Sequence, residues 1–191
     1  VAIGKFDGLH LGHQSLIRKI NSYKAHNMTS VMLTCNYNPS YMLQGKALSL
    51  IYTSQERRIL AGRMGVDVLI EYPFSEETAH MDPTEFLQEV LIRHLGARHI
   101  VVGEDFCFGR DRKGNTDLLR GMSLPLGYSA HICPKIHTTL KEAVGQYQPG
   151  DEADISATLI RQAIQEGKME TANQMLGIPY TIIGTVVHGR E

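Results

Sequence analysis

Two histidines three residues apart, His10 and His13, stand in the run Gly4-Lys5-Phe6-Asp7-Gly8-Leu9-His10-Leu11-Gly12-His13. At the start of a helix this spacing places both imidazoles on one face. Imidazoles so placed can donate hydrogen bonds to phosphoryl oxygens as charge builds in a transition state. Gly4, Gly8 and Gly12 let the backbone approach a ligand closely, and a helix N-terminus offers unpaired N–H groups and a positive dipole end to phosphate. Two plainer readings stand beside this one: a glycine-rich turn with surface histidines, or half of a metal site. The metal reading lacks a third ligand or a neighbouring Glu at zinc-helix spacing. The run is neither GxGxxG nor a Walker loop, which speaks against a dehydrogenase or a P-loop kinase.

Two later segments carry suitable chemistry. Val102-Gly103-Glu104-Asp105-Phe106-Cys107-Phe108-Gly109-Arg110 sets two aromatic rings among glycines. Such rings either stack on a planar ligand or fill a core beside a turn. In Ile155-Ser156-Ala157-Thr158-Leu159-Ile160-Arg161, Ser156 fits an N-cap and Thr158 the first helical turn. Arg161 projects a planar fork suited to bidentate phosphate contact. The plain reading here is an ordinary capped helix with a surface Arg.

These groups need a scaffold, and the pattern supplies one. Val1-Ala2-Ile3 reads as the end of a buried strand, and Leu16, Ile17, Ile20 and Tyr23 recur at helical spacing after the glycine turn. Val31–Cys35, Val66–Tyr72, His99–Val102 and Gly127–Ile132 read as further strands, short and apolar as in parallel sheets covered on both faces. Thr53-Ser54-Gln55-Glu56 is a capping box opening a helix that stops at Gly65. Asp82-Pro83-Thr84-Glu85 opens another, with Glu85 closing the box and Gly96 ending the helix. The acid-rich stretch from Glu71 to Glu89 reads as a solvated face, and Lys135 to Asp154 as loop. Helices are expected over roughly 156–166 and 169–176. Strands alternating with helices point to βαβ units, with ligands at the carboxyl edge of the sheet. From Tyr180 to Val187 the texture turns β-branched and strand-like, so a domain boundary falls near 177–179.

The composition narrows the classes. The chain has 191 residues and 19 Lys+Arg against 20 Asp+Glu. A net charge of -1 argues against a nucleic-acid-backbone partner. No apolar run approaches the roughly 20 residues of a membrane span. Cys35, Cys107 and Cys133 share no CxxC spacing, so a reducing cytoplasm is expected. Gly stands at 18, where average usage of about 7% would give roughly 13. With Val1 already inside a strand and no initiator Met, a longer natural protein is expected.

Phe6-Asp7-Gly8-Leu9-His10-Leu11-Gly12-His13-Gln14 resembles the first signature of the bacterial bifunctional riboflavin kinase/FAD synthetases, a family of the HxGH nucleotidyltransferase superfamily. Gly103 to Arg110 is similar to its GEDFxFG segment, and Ile155 to Arg161 to its ISSTxIR motif. Ala172 to Tyr180 resembles the linker into the family's kinase barrel, and Gly184-Thr185-Val186-Val187-His188-Gly189 its first strand. Three departures stand out. Cys35-Asn36-Tyr37-Asn38-Pro39 replaces FxPHP, Ala157 replaces a hydroxyl, and the chain ends at Glu191, before the barrel's GFPTAN-type segment.

The resemblance implies a Rossmann-like open parallel sheet of the HxGH type. It implies an FMN adenylyltransferase domain over 1–178 and the first strand of a β-barrel domain over 179–191. The implied reaction transfers AMP from ATP to FMN, giving FAD and pyrophosphate, without riboflavin kinase activity from residues 1–191 alone. His10, His13 and Arg161 are the expected catalytic groups. Gly4, Phe6, Asp7, Gly8, Gly12, Ser156, Thr158 and Arg161 are expected at ATP and its phosphates, and Asn38, Gly103, Asp105, Phe106, Phe108 and Arg110 at the flavin and nucleotide pocket. Mg²⁺ is expected to arrive with ATP, without a dedicated metal site, nucleic-acid partner or membrane. Two alternatives stay open: a divergent paralogue binding ATP or flavin without turnover, and an HxGH adenylyltransferase using another acceptor such as nicotinate mononucleotide or phosphopantetheine.

Overall fold

The computed structural model describes residues 1–35, 50–73 and 75–186. Five parallel strands form the central sheet: β1 (Ala2–Ile3), β2 (Val31–Cys35), β3 (Val68–Tyr72), β4 (His99–Gly103) and β5 (Ser129–Cys133), in the order β3-β2-β1-β4-β5. Alternate residues on these strands feed two separate cores, as a pleated strand requires. Ala2, Met32 and Val101 join Leu16, Ile17, Ile160 and Met175 on one face. Ile3, Leu33, Ile100 and Val102 join Leu87, Leu91 and Leu119 on the other. This double burial is why the strands read as continuous apolar runs.

The order has one consequence for function. From β1 the chain winds outward through β2 to β3, then returns to the other side of β1 as β4. The switch point therefore lies between β1 and β4, at the carboxyl ends marked by Ile3 and Gly103, the position where open α/β sheets bind ligands.

Helix α1 (Leu11–Ser22) follows β1, and α2 (Ser54–Arg63) carries the expected capping box between Thr53 and Glu56. Residues Glu76–Ala79 form α3. At α4 (Pro83–Glu85) the Asp82 carboxylate accepts the Thr84 and Glu85 N–H groups, but among the described residues no return bond from Glu85 closes the box. The winding then widens to a π-helix over Phe86–His94. Apolar periodicity does not separate the two windings. Short helices α5 (Thr116–Gly121) and α6 (Ser123–Leu126) precede β5, and α7 (Ala157–Gln165) and α8 (Met169–Leu176) close the fold.

Three expectations are corrected. The stretch expected as loop contains an antiparallel pair, β6 (His137–Thr139) with β7 (Glu152–Asp154). Three-residue polar strands show no period, and Asp154 holds this pair through Lys135 at 3.0 Å and His137 at 2.8 Å. Glu71 is not on a solvated face: it accepts from buried Arg57 at 2.7 Å and from Arg58. A charge taken from water needs such partners. Residues 180–186 form no strand, because β-branched propensity expresses packing on a neighbouring strand. Here the segment lies against α2 instead, with the Ile183 N–H donating to Glu56 Oε1 at 3.0 Å. Residues 187–191 lie outside the described residues.

Candidate active site

The turn from β1 to α1 is strained and buried. Phe6 (φ 49°) and Leu9 (φ 44°) occupy the left-handed region although neither is glycine, and both are fully buried. Each such residue costs on the order of 1–3 kcal/mol and persists only where its surroundings over-determine it. Gly8, at φ 85°, is also positional: a Cβ there would lie 2.9 Å from Ile51 Cδ1. Thr34 adds a hydroxyl hydrogen bond to the Lys5 carbonyl at 2.9 Å.

His10 is the N-cap of α1 and His13 lies in its first turn. The two rings stack with centroids 3.7 Å apart and 28° between planes, and Phe6 backs His13 at 5.1 Å. Gly12 makes room for this stack, because a Cβ would sit 3.1 Å from the His10 ring. Both Nδ1 atoms are buried without a partner among the described residues. Burial pushes the His10 pKa down to about 4, with Asp105 opposing. His13 falls well below 6.5 through burial and then the neighbouring His10. At neutral pH the pair is uncharged, and each ring offers a single N–H donor.

The other residues expected at phosphate are held in different ways. Asp7 is buried, and its carboxylate accepts the Ile51 N–H at 2.9 Å and Arg161 Nη2 at 2.7 Å. The structure thus brings Arg161 to the turn, across 154 residues, through an ion pair with Asp7. Ser156 caps α7 by accepting the Leu159 N–H at 3.3 Å, and Thr158 in the first turn is exposed. Gly4 follows β1 and donates its N–H to the Leu33 carbonyl at 3.2 Å.

On the β4 side, Gly103 ends the strand and Asp105 is exposed near enough to His10 to act on its charge. Phe106 stacks on Phe108 with centroids 5.3 Å apart. Phe108 itself is buried against Phe86 in the second core, whereas Phe106 is half-buried and Arg110 exposed. Asn38 lies outside the described residues. Sequence reasoning missed Ile51, whose backbone N–H anchors Asp7, and Gln14, whose amide donates to the Leu9 and Leu176 carbonyls. Only Gln14's place beside His13 could have flagged it.

The neutral histidines make stability pH-dependent. At the amino edge of the sheet His99 and His131 are lowered as well, first by burial and then by cations that include Lys19. All four bind protons more readily in the unfolded chain, where the ordinary value is 6.5. Above that pH neither state is charged and nothing is lost. Below it, the unfolded chain takes up protons that the folded chain refuses, so stability falls. The thermal midpoint is expected to drop as pH goes from about 7 to about 5, with a shallower slope in the His10→Ala/His13→Ala variant. A level midpoint over that window contradicts the neutral stack.

A five-stranded parallel sheet with an HxGH turn at its switch point defines a class, the Rossmann-like nucleotidyltransferase domain. Comparison with known proteins narrows it. A sequence model of the FAD synthetase family matches residues 1–145. An FAD synthetase from Listeria monocytogenes is 31% identical over 99% of this chain and 72% of its own length. A bifunctional riboflavin kinase/FMN adenylyltransferase from the same organism is 31% identical over 99% of this chain and 57% of its own length. The chain therefore spans less than two thirds of that bifunctional relative. The crystal structure of a macrolide-efflux protein from Streptococcus pneumoniae superposes with a TM-score of 0.79 at 31% identity, over 100% of this chain and 60% of that one. Among the described residues no helix is long and apolar enough to cross a membrane. The chain belongs to the FAD synthetase family.

Proposed function

We propose that residues 1–178 form an FMN adenylyltransferase domain that transfers AMP from ATP to FMN and releases pyrophosphate. The observation that carries this reading is the neutral His10–His13 stack, held on a strained turn at the switch point of a parallel sheet in this family. The FMN phosphate, with a second pKa of about 6, is largely dianionic at neutral pH and needs no general base. One of its oxygens attacks the α-phosphorus of ATP. The new O–P bond forms as the α–β bridging bond breaks, and its electron pair leaves with pyrophosphate. Catalysis then reduces to in-line positioning and charge stabilisation. His10 and His13 supply directed N–H donors, the start of α1 supplies backbone N–H groups, and Arg161 brings a cation fixed by Asp7. Ser156 and Thr158 lie at the start of α7 as hydroxyl donors to phosphate.

Asp7 serves this site by holding Arg161 and Ile51; a buried carboxylate in direct contact with phosphate would repel it. Gly103, Asp105, Phe106 and Arg110 are assigned to the flavin and nucleotide pocket, with half-buried Phe106 as the ring on which a planar flavin or adenine would stack. Mg²⁺ would come with the ATP phosphates, and the Asp7 carboxylate is engaged by Arg161. Residues 179–191 are the start of a further, barrel-type unit, a reading supported by the greater length of the bifunctional relatives. Three free thiols, Cys35, Cys107 and Cys133, support a reducing cytoplasm. Incubation with FMN, ATP and Mg²⁺ is expected to yield FAD on chromatography. Binding of ATP or FMN without FAD would overturn the reading in favour of a non-catalytic paralogue.

A further inference from the structure

The HxGH turn is tied to the far end of the chain at three places. Gln14, one residue after His13, donates from Nε2 to the Leu9 carbonyl at 3.0 Å and to the Leu176 carbonyl at 2.7 Å. The first acceptor belongs to a fully buried left-handed residue of the turn, and the second to the last residue of α8. Beside this bridge, Gly177 at φ 71° lies against the start of α1: a Cβ there would sit 2.5 Å from Leu11 Cδ2 and 3.5 Å from Gln14 Nε2. Tyr180 makes the third tie. Its N–H donates to Asn173 Oδ1 at 2.7 Å, its ring stacks on Tyr52, and its hydroxyl donates to the Ile51 carbonyl at 3.3 Å. Ile51 is the residue whose N–H holds Asp7.

We propose that Gln14 is a positioning residue that sets the placement of His10 and His13 by clamping the catalytic turn to the end of the last helix. This rests on the adenylyltransferase reading above. The physical reason lies in the strained turn. Phe6 and Leu9 stay in the left-handed region only while neighbours hold them, and the Gln14 side chain bonds Leu9 directly. An amide with two donors can satisfy two carbonyls at once. A displacement of the end of α8 is therefore passed to the turn through the Gln14 amide.

Gln14→Met keeps the length of the side chain but cannot donate. The expected result is a kcat for FAD formation lowered roughly tenfold to a hundredfold, with the KM for ATP within about threefold. Imidazole ¹⁵N signals of His10 and His13 shift, while those of exposed His80 and His94 stay in place. A lowered melting midpoint with unchanged kcat and unchanged imidazole signals would make Gln14 a plain stabilising cross-link and overturn the proposal. If Gln14→Met does not fold, Gly177→Ala, which presses on Leu11, is read by the same signals with the same two outcomes. If the wild-type protein forms no FAD, the functional reading fails on its own. The imidazole signals still decide the clamp, since they need no turnover.

Discussion

Replacing His10 by Ala is expected to lower kcat for FAD formation by about 10²–10³-fold, the usual loss when one directed donor to a developing charge is removed. The ATP dissociation constant is expected to stay within about threefold, because the donor contributes chiefly as charge moves to the departing pyrophosphate. His10 is suited to this behaviour. It caps α1, its ring stacks on His13 at 3.7 Å, and burial keeps it neutral above about pH 4. A neutral donor binds ground-state phosphate only modestly, yet it is fixed in place when the transition state forms. Steady-state FAD formation and calorimetric titration with ATP separate the two effects. A loss confined to ATP affinity, with kcat intact, removes His10 from the chemistry.

Arg161→Ala is expected to damage the fold as well as the reaction. Its guanidinium is the charge partner of Asp7, whose side chain is 8% exposed. Removing Arg161 leaves this buried carboxylate without its cation and with the Ile51 N–H as its remaining described donor, at a cost of up to about 3–5 kcal/mol. For a chain of this length that lowers the melting midpoint by on the order of 10 °C. Asp7→Asn in the same background removes the stranded charge and is expected to recover part of the midpoint without recovering activity. Arg161→Lys keeps the charge but not the planar fork, and falls between. An Arg161→Ala protein that melts with the wild type would show that Asp7 does not depend on this partner.

These two residues illustrate what could be read before any coordinates. His10 and His13 were legible because their chemistry is local: three residues of spacing, flanking glycines and a strand-to-helix handover place both rings on one face. The strands were legible because burial on both faces writes apolar runs such as Val31–Cys35, and the α2 start because its capping box spans four residues. Arg161 was visible as a fork on a helix, but its partner was not. Asp7 lies 154 residues away, and nothing in either segment encodes the pairing. The Gln14–Leu176 bridge spans 162 residues and uses a backbone acceptor, which carries no side-chain signature at all. Phe106 and Phe108 look alike in sequence. Only the packing of Phe86 and Pro83–Gly109 decides that Phe108 belongs to the core. The strand expected after Pro179 failed for the opposite reason: residues 180–186 have the composition, but their bonds go to Glu56 and Ile51 instead of a neighbouring strand.

The central claim is that FMN attacks the α-phosphorus of ATP at this turn, and one measurement addresses it directly. ATP labelled in its α-phosphate is incubated with FMN, Mg²⁺ and the protein, and the products are separated. The account predicts label in FAD, one equivalent of unlabelled pyrophosphate per FAD, and loss of both in His10→Ala. Label that stays in ATP, or appears in free AMP with FMN unchanged, contradicts it.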